Sequence, residues 1–261
     1  MSVLRYFLIG LLLMRGAAAQ ELRVAAASDL TGAMQKLVPA FEKQTGIHVS
    51  VSLGSSGNFF AQIQNGAPFD VFLSADRSYP EKLVQAGQAE PNSLTPYARG
   101  LLVLWTAKST GVRLPTKDGK TLEGGLDFLK GGSEVRKIAI ANPEHAPYGR
   151  AAVAALEHFK VYDQVKSKLV LGENISQTAQ FAQSGNADVG FVGLSGALSA
   201  SLAASGEYVL LPDDSYPPIE QAAVVVAASK NKEQAQRFLK FLMSAEGQAI
   251  LKDLGFEAGK K

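Results

Sequence analysis

Residues 22–41, LRVAAASDLTGAMQKLVPAF, contain the pattern that decides the fold. Its first part, Leu22–Ala27, is a short apolar run typical of a buried strand, and the polar pair Ser28 and Asp29 follows directly. Behind this pair the apolar residues recur at helical spacing: Leu30, Met34, Leu37, Val38 and Phe41. A strand that passes through a tight turn into a helix is typical of βαβ units and a mostly parallel sheet.

The same alternation continues along the chain. Further strands are predicted at 48–53, 70–74, 101–106, 137–141, 168–170, 189–192 and 222–228. Further helices are predicted at 58–64, 77–86, 149–159 and 177–184, and two amphipathic helices around 235–242 and 250–254 close the chain. Residues 117–132, rich in glycine and charge, are interpreted as a surface excursion.

This order predicts an α/β protein of two lobes with a ligand cleft between them. We expect crossovers near 96–100 and 216–220. The predicted division is 20–98 for the first part of lobe 1, 99–217 for lobe 2 and 218–261 for a return to lobe 1.

Residues 1–19 have the pattern of a secretory signal peptide. Arg5 precedes an apolar run at 6–14, and the small residues 16–19 follow, with cleavage expected after Ala19. A membrane anchor or a buried helix is the alternative interpretation, but the run is far shorter than the roughly 20 residues that span a bilayer. The sequence therefore predicts export to a periplasm-like compartment.

The composition excludes several classes of function. The chain has 261 residues, 26 Lys and Arg against 24 Asp and Glu, and no cysteine. A net charge of +2 is too small for a surface that follows nucleic-acid phosphates, so we expect no nucleic-acid partner. Without cysteine there is no disulfide, no thiolate metal site and no lipid attachment through an N-terminal cysteine.

A local design recurs that suits an anion. Small hydroxyl or glycine residues join a strand to a helix at 25–30 and again at 54–58, and lobe 2 has two similar loops at 142–149 and 172–177. Helix N-termini carry unpaired N–H groups and a positive dipole end, so a serine there offers both a hydroxyl and a backbone donor. Each instance alone is also explained by ordinary helix capping.

Five motifs carry a resemblance to a known family: AAASDL at 25–30, GSSGN at 54–58, NGAPFDVFLSAD at 65–76, NPEHAPYG at 142–149 and ADVGFV at 187–192. In order and spacing they resemble the periplasmic molybdate-binding proteins of ABC transporters, the ModA family. The resemblance covers essentially the whole mature chain. It implies a type II periplasmic-binding-protein fold and a molybdate or tungstate ligand held by neutral hydrogen-bond donors.

The resemblance also implies the site residues and the partners. Ser28 and Ser56 would donate through their hydroxyls and backbone, and Tyr148 and Ile175 through backbone N–H groups. Molybdenum would enter only as the oxyanion, with no protein ligand to the metal and no cofactor. The expected partner is an inner-membrane ABC permease, and the protein is expected to be a monomer.

Two further positions, Asp29 and Gly193, affect the expected contacts with the ligand. Asp29 is expected to donate its backbone N–H, because a carboxylate aimed at a dianion would repel it. We therefore expect the side chain to point outward as a helix N-cap. Some family members add a tyrosine hydroxyl where this sequence has Gly193. A site of donors only should reject an anion that carries a proton, such as hydrogenphosphate.

An enzyme is the main alternative class, and the sequence gives it little support. Asp70 and Asp76 frame one strand instead of facing each other, and Asp76 is interpreted as a cap. His48, His145 and His158 have no partner at the spacing of a metal site, and no common nucleophile or phosphate-binding motif occurs. A carrier of sulfate or phosphate, and an oxyanion sensor that signals to a membrane receptor, remain open alternatives.

Overall fold

The computed structural model describes residues 21–131 and 134–259. The predicted signal peptide at 1–19 lies outside the described residues. The strands are β1 Leu22–Ala27, β2 Val49–Gly54, β3 Val71–Ser74, β4 Thr95–Gly100, β5 Leu102–Ala107, β6 Ile138–Ala141, β7 Leu169–Gly172, β8 Val189–Gly193, β9 Gly206–Leu210, β10 Ile219–Val225 and β11 Glu257–Ala258. The helices are α1 Thr31–Thr45, α2 Ser56–Gln64, α3 Ser78–Gln85, α4 Pro147–His158, α5 Tyr162–Val165, α6 Ile175–Gln183, α7 Leu194–Ala197, α8 Ala200–Ser205, α9 Lys232–Leu242 and α10 Ala245–Asp253.

The first sheet combines the two ends of the described chain. Its order is β11-β4-β10-β3-β1-β2, with β1 parallel to both β2 and β3. Strand β10 runs antiparallel between β3 and β4, and β11 pairs with β4. We call this sheet and the helices packed on it lobe 1.

The second sheet is formed by the middle of the chain. Its order is β7-β6-β8-β5-β9, with β6 parallel to β7 and β8, and β5 antiparallel to β8 and β9. We call it, with its helices, lobe 2. The chain passes between the sheets at residue 101 and again through 211–218. The predicted α/β fold is confirmed, whereas the predicted lobe boundaries stay predictions.

Each lobe has its own apolar core, as the amphipathic pattern requires. In lobe 1, α1 and α9 meet through Phe41 and Phe238, whose ring centroids lie 5.1 Å apart in an edge-to-face arrangement. In lobe 2, Leu104, Ile140 and Phe191 are fully buried beneath α4. Burial of such side chains contributes about 1.5–3 kcal/mol each, so the two cores stabilise the lobes separately.

Two connecting segments differ from the predictions. Residues 95–100 are strand β4, with Pro96 at a β-bulge where the pairing with β10 shifts register, and the crossover expected near 96–100 follows directly at residue 101. The expected surface excursion at 117–132 is partly core, since Leu122, Leu126 and Leu129 are buried in lobe 2. Glycine and charged residues dominate the composition of this segment, so its three buried leucines are not apparent from the sequence.

The parallel strands place the functional loops. Strands β1 and β2 of lobe 1, and β6 and β7 of lobe 2, each lead from their carboxyl ends into a helical turn. Ligands of open α/β sheets bind in the crevice outside these ends. In the part of the chain that the structure describes, no helix is both long and apolar enough to cross a membrane.

Candidate functional site

A small cavity lies between the two lobes at these strand ends. It is lined from both lobes by Ala27, Ser28, Asp29, Gly54, Ser55, Ser56, Ala75, Ala146, Pro147, Tyr148, Asn174 and Ile175. The structure thus brings the five predicted residues, Ser28, Asp29, Ser56, Tyr148 and Ile175, to one cavity. That they bind a ligand stays a prediction.

Three helices begin at the wall of the cavity, and their first-turn N–H groups have no partner within their own helix. Helix α2 begins at Ser56 and α4 at Pro147, which has no N–H, so that the first donor of α4 is Tyr148. At α6 the Asn174 side chain accepts the N–H groups of Ser176 and Gln177, which leaves that of Ile175. Positive dipole ends and N–H groups together favour an anion.

Lobe 1 adds serine hydroxyls to the wall. The Ser56 side chain is fully buried, and its Oγ accepts the Ala75 N–H at 2.9 Å, so its own proton is available to donate elsewhere. Ser28 is 4% exposed, and its backbone carbonyl, not its hydroxyl, accepts from Thr31 Oγ1 and from Ser176 Oγ. Both hydroxyls are therefore suited to donate to a bound group.

Ser55 is a residue that sequence reasoning missed. It lines the same cavity and is 4% exposed, and its Oγ is buried with no hydrogen-bond partner among the described residues. A buried hydroxyl without a partner is costly, and a ligand that accepts its proton removes that cost. The signal was the GSSGN motif itself, which has two adjacent serines, Ser55 and Ser56, at the start of α2.

The charge of the lining is unusual for an anion site. Neither Lys nor Arg lines the cavity within the described ranges, and Asp29 is the ionisable carboxyl there. Any attraction of this lining for an anion must therefore come from oriented N–H and O–H dipoles and not from net positive charge.

The expected orientation of Asp29 is wrong. Its side chain does not cap a helix, because the short 3-10 helix Ser28–Leu30 begins after Ala27 and has no side-chain cap. The carboxylate turns inward and is only 5% exposed. Its Oδ2 accepts from Tyr148 Oη at 3.0 Å and from Gln221 Nε2 at 2.5 Å, so these two interior donors replace solvent. The expectation of a site with donors only must be revised accordingly.

Burial controls the ionisation of this group. Desolvation raises the pKa of Asp29 to about 6, against the opposing hydrogen bonds from Gln221 and Tyr148. Burial likewise raises the pKa of Tyr148 well above its usual range, and the nearby Asp29 charge adds to the rise. Tyr148 therefore stays a neutral donor at neutral pH.

Two glycines make room for the Tyr148 side chain. A Cβ at Gly100 would lie 2.1 Å from the Tyr148 hydroxyl, and a Cβ at Gly193 would lie 3.3 Å from its ring. The ring thus occupies the space beside Gly193, the position where the family resemblance had indicated a missing tyrosine contact. A side chain at Gly193 and the present ring position would compete for that space.

Hydroxyls of lobe 2 hold the turn that carries Ser28 and Asp29. Ser176 Oγ donates to the Ser28 carbonyl at 2.9 Å, and Ser195 Oγ donates to the Asp29 carbonyl at 2.8 Å. Carbonyls engaged in this way fix the peptide planes and therefore the directions of the neighbouring N–H groups. Sequence reasoning missed Ser195, since no local pattern links residue 195 to residue 29.

The rim of the cavity carries further contacts between the lobes. The Gly57 N–H donates to the His145 carbonyl at 2.9 Å, which gives the PEHAP segment a backbone-shaping role. Arg150 of α4 pairs with Asp76 and lies over the Tyr79 ring. Asp76 also accepts the Ser78 N–H at 2.8 Å, although the N-cap position of α3 is Arg77 and not Asp76 as predicted. The lobes are thus closed around the cavity.

The site offers no grouping typical of a metal centre. In the residues that the structure describes, no cluster of three or more His, Asp or Glu side chains could hold a metal ion. The geometry is that of a two-lobed binding protein with hydrogen-bond donors at the wall of its cleft.

Comparison with known proteins gives the same class. Residues 22–257 match the family described as bacterial extracellular solute-binding protein. The chain is 39% identical over 245 residues to the molybdate-binding protein ModA of Azotobacter vinelandii, covering 94% of this chain and 93% of that one. It is 38% identical over 240 residues to ModA of Rhodobacter capsulatus, covering 92% and 89%.

A solved structure agrees. The Azotobacter vinelandii periplasmic molybdate-binding protein superimposes with a TM-score of 0.80 at 36% identity, covering 92% of this chain and 100% of that one. The chain therefore belongs to the bacterial extracellular solute-binding proteins and, within them, to the ModA family. It is a binding protein of transport systems and not an enzyme.

Proposed function

We propose that this protein is the periplasmic molybdate-binding component of an ABC importer, and that tungstate is its second ligand. The observation that supports this most is the convergence of three helix N-termini and the Ser28 turn on one cavity without Lys or Arg in its lining. An unprotonated tetrahedral oxyanion such as molybdate has four acceptor oxygens and no donor, which matches such a lining.

Hydrogen bonds to a charged acceptor supply the affinity. Each contributes about 1.5–3 kcal/mol, and roughly five to seven of them exceed the association cost by enough for micromolar or tighter binding. The donors are the hydroxyls of Ser28, Ser55 and Ser56 and the backbone N–H groups of Tyr148 and Ile175. Backbone donors do not titrate, so they contribute equally across the physiological pH range.

Selection among anions then depends on the size of the anion and on whether it carries a proton. Sulfate has the charge and shape of molybdate but shorter bonds, so a rigid wall of donors set for the larger anion binds it less well. Hydrogenphosphate carries a proton that N–H and O–H donors cannot accept. Asp29 is the carboxyl group among the described lining residues, and in its protonated form it too cannot accept that proton.

Closure couples binding to transport. Because donors come from both lobes, the anion binds the closed form better than an open one and shifts the population toward it. We infer that the closed monomer is what the inner-membrane permease recognises. The predicted signal peptide and the named homologues support a periplasmic location. No cofactor is required for this role.

Calorimetric titration of the purified protein with molybdate, tungstate, sulfate and phosphate tests the proposal. We expect 1:1 binding of molybdate and tungstate and no heat from phosphate at matched concentration. Tight sulfate binding with weak molybdate binding would replace the proposal with a sulfate carrier, and no binding of any of the four would overturn it.

A further inference from the structure

Asp29 is a buried carboxyl group whose side chain is not among the hydrogen-bond donors proposed for the oxyanion. It lines the cavity and is 5% exposed. Its Oδ2 accepts from Tyr148 and Gln221, neither of which carries a positive charge. Its Oδ1 is buried and has no hydrogen-bond partner in the described part of the chain. Nothing on the wall therefore neutralises this carboxylate.

The hydrogen bonds around Asp29 hold it in place. Gln221 on β10 donates to Asp29 while its own Oε1 accepts from Tyr97 of β4 at 2.7 Å. Tyr148 reaches the same carboxylate from lobe 2, and Ser195 holds the Asp29 backbone carbonyl. The carboxyl group is fixed by both lobes and cannot turn to solvent while the lobes are closed.

Other titratable groups near Asp29 stay neutral around pH 7. Burial raises the pKa of Tyr97 and of Tyr148 well above the usual tyrosine value, and that of Tyr216, which lies near Tyr148, is also raised mainly by burial. Helices α6 and α7 and strand β2, which pack against the turn, contain no titratable residue, and α1 has none in its first turn. Among these groups, Asp29 is thus the one that can gain or lose a proton around pH 7.

A dianion and a charged Asp29 are incompatible neighbours. Like charges in a poorly solvated site repel strongly, and the system relieves the repulsion by protonating the weaker acid. Burial already raises the pKa of Asp29 to about 6, and a dianion in the same cavity raises it further. The protonated Asp29 side chain does not repel the dianion, whereas the ionised carboxylate does.

We propose that an oxyanion dianion enters this site together with one proton, which is held on Asp29 while the anion is bound. The inference rests on the proposed oxyanion function and deepens it. The proton comes from solvent when the anion binds and returns to solvent when the anion leaves, and no other bond is made or broken.

Proton uptake is measured by titrating molybdate into the protein in buffers of different ionisation enthalpy at one pH near neutrality. The slope of observed heat against buffer enthalpy gives the protons taken up. We expect about one proton per anion, and an affinity that falls up to tenfold per pH unit between the pKa of Asp29 in the free protein, about 6, and its higher pKa in the complex. Molybdate itself must stay a dianion over the range used.

Asp29→Asn is the decisive variant, because it keeps the shape and removes the charge. We expect it to bind molybdate with no proton uptake and with an affinity independent of pH. Asp70→Asn is the matched control: Asp70 is also a buried lobe 1 carboxylate, 6% exposed, but it lies outside the cavity and pairs with Ser229 and Asn231. It should keep the proton uptake of the unchanged protein.

The outcomes separate the two proposals. Molybdate binding to the unchanged protein with heat independent of the buffer would overturn the proton proposal and leave the proposed function intact. The same uptake in Asp29→Asn as in the unchanged protein would assign the proton to another group and also overturn it. Absence of any oxyanion binding would overturn the proposed function itself.

Discussion

The two walls of the cavity use different chemistry. Lobe 1 presents the start of α2 and the Ser28 turn, and it adds side chains to them: the hydroxyls of Ser28, Ser55 and Ser56 and the Asp29 carboxyl. Lobe 2 presents the backbone N–H groups at the start of α4 and α6. Its side chains, such as Tyr148, reach across to hold lobe 1 and do not serve as the donors we expect for the ligand.

The two walls should therefore respond differently to substitution. Removing a serine from lobe 1 deletes a donor, whereas most substitutions in the lobe 2 wall leave the N–H groups in place. Lobe 2 substitutions should therefore act through closure and position. We expect larger losses of affinity from lobe 1 than from lobe 2.

Ser56→Ala should give the largest loss. It removes one bond to the charged ligand, about 1.5–3 kcal/mol or roughly 10- to 100-fold in affinity. It also leaves the buried Ala75 N–H without its acceptor, so the melting temperature of the free protein should fall. Calorimetric titration and thermal melts measure the two effects. An unchanged affinity would show that the lobe 1 wall does not bind the anion.

Ser28→Ala should give a loss of about tenfold in affinity without the loss of stability. The structural hydrogen bonds of Ser28 run through its backbone carbonyl and survive the change. Ser50→Ala, at an exposed serine on β2, is the control and should bind normally. A melting temperature that falls as far as in Ser56→Ala would contradict this separation.

Tyr148→Phe should cost less than tenfold. The N–H that we expect to bind the anion remains, and only the hydrogen bond to Asp29, about 0.5–1.5 kcal/mol, is lost. Comparing its dissociation constant with that of Ser56→Ala tests the ranking directly. A loss as large as that of Ser56→Ala would mean that the hydroxyl, and not the backbone, is the functional group of this residue.

Arg150→Met should give the smallest effect. The pair with Asp76 joins the lobes at the rim, where both side chains are partly exposed, and such pairs contribute at most about 1 kcal/mol. We expect less than a fivefold loss of affinity at low salt, and we expect that loss to shrink as salt is added. A large effect that resists salt would place the main closure energy at the rim.

The fold was predictable because its signals are local. The strand Leu22–Ala27 and the helix behind it follow from apolar spacing alone, and the buried face of α9, with Phe238 and Leu242, was read in the same way. Strand β4 was not predictable, because Pro96 argues against a strand unless the β-bulge at this position is known. Pairing across the sheet supplies that information, and no local pattern does.

The candidate site was predictable in part. Helix starts and serines marked Ser28 and Ser56, while the resemblance indicated Tyr148 and Ile175. The orientation of Asp29 was predicted wrongly, since capping is the usual role of Asp at a helix start. Its true partners, Tyr148 and Gln221, are 119 and 192 residues away in sequence, so only the fold brings them together.

A crystal structure of the protein grown with molybdate tests the central claim most directly, because molybdenum gives an anomalous signal that locates the anion. We predict a single anomalous peak in the cavity between the lobes, with oxygens at hydrogen-bond distance, about 3 Å, from Ser28, Ser56 and the N–H groups of Tyr148 and Ile175. A peak elsewhere on the protein, or an anion held by Lys or Arg side chains, would contradict the account.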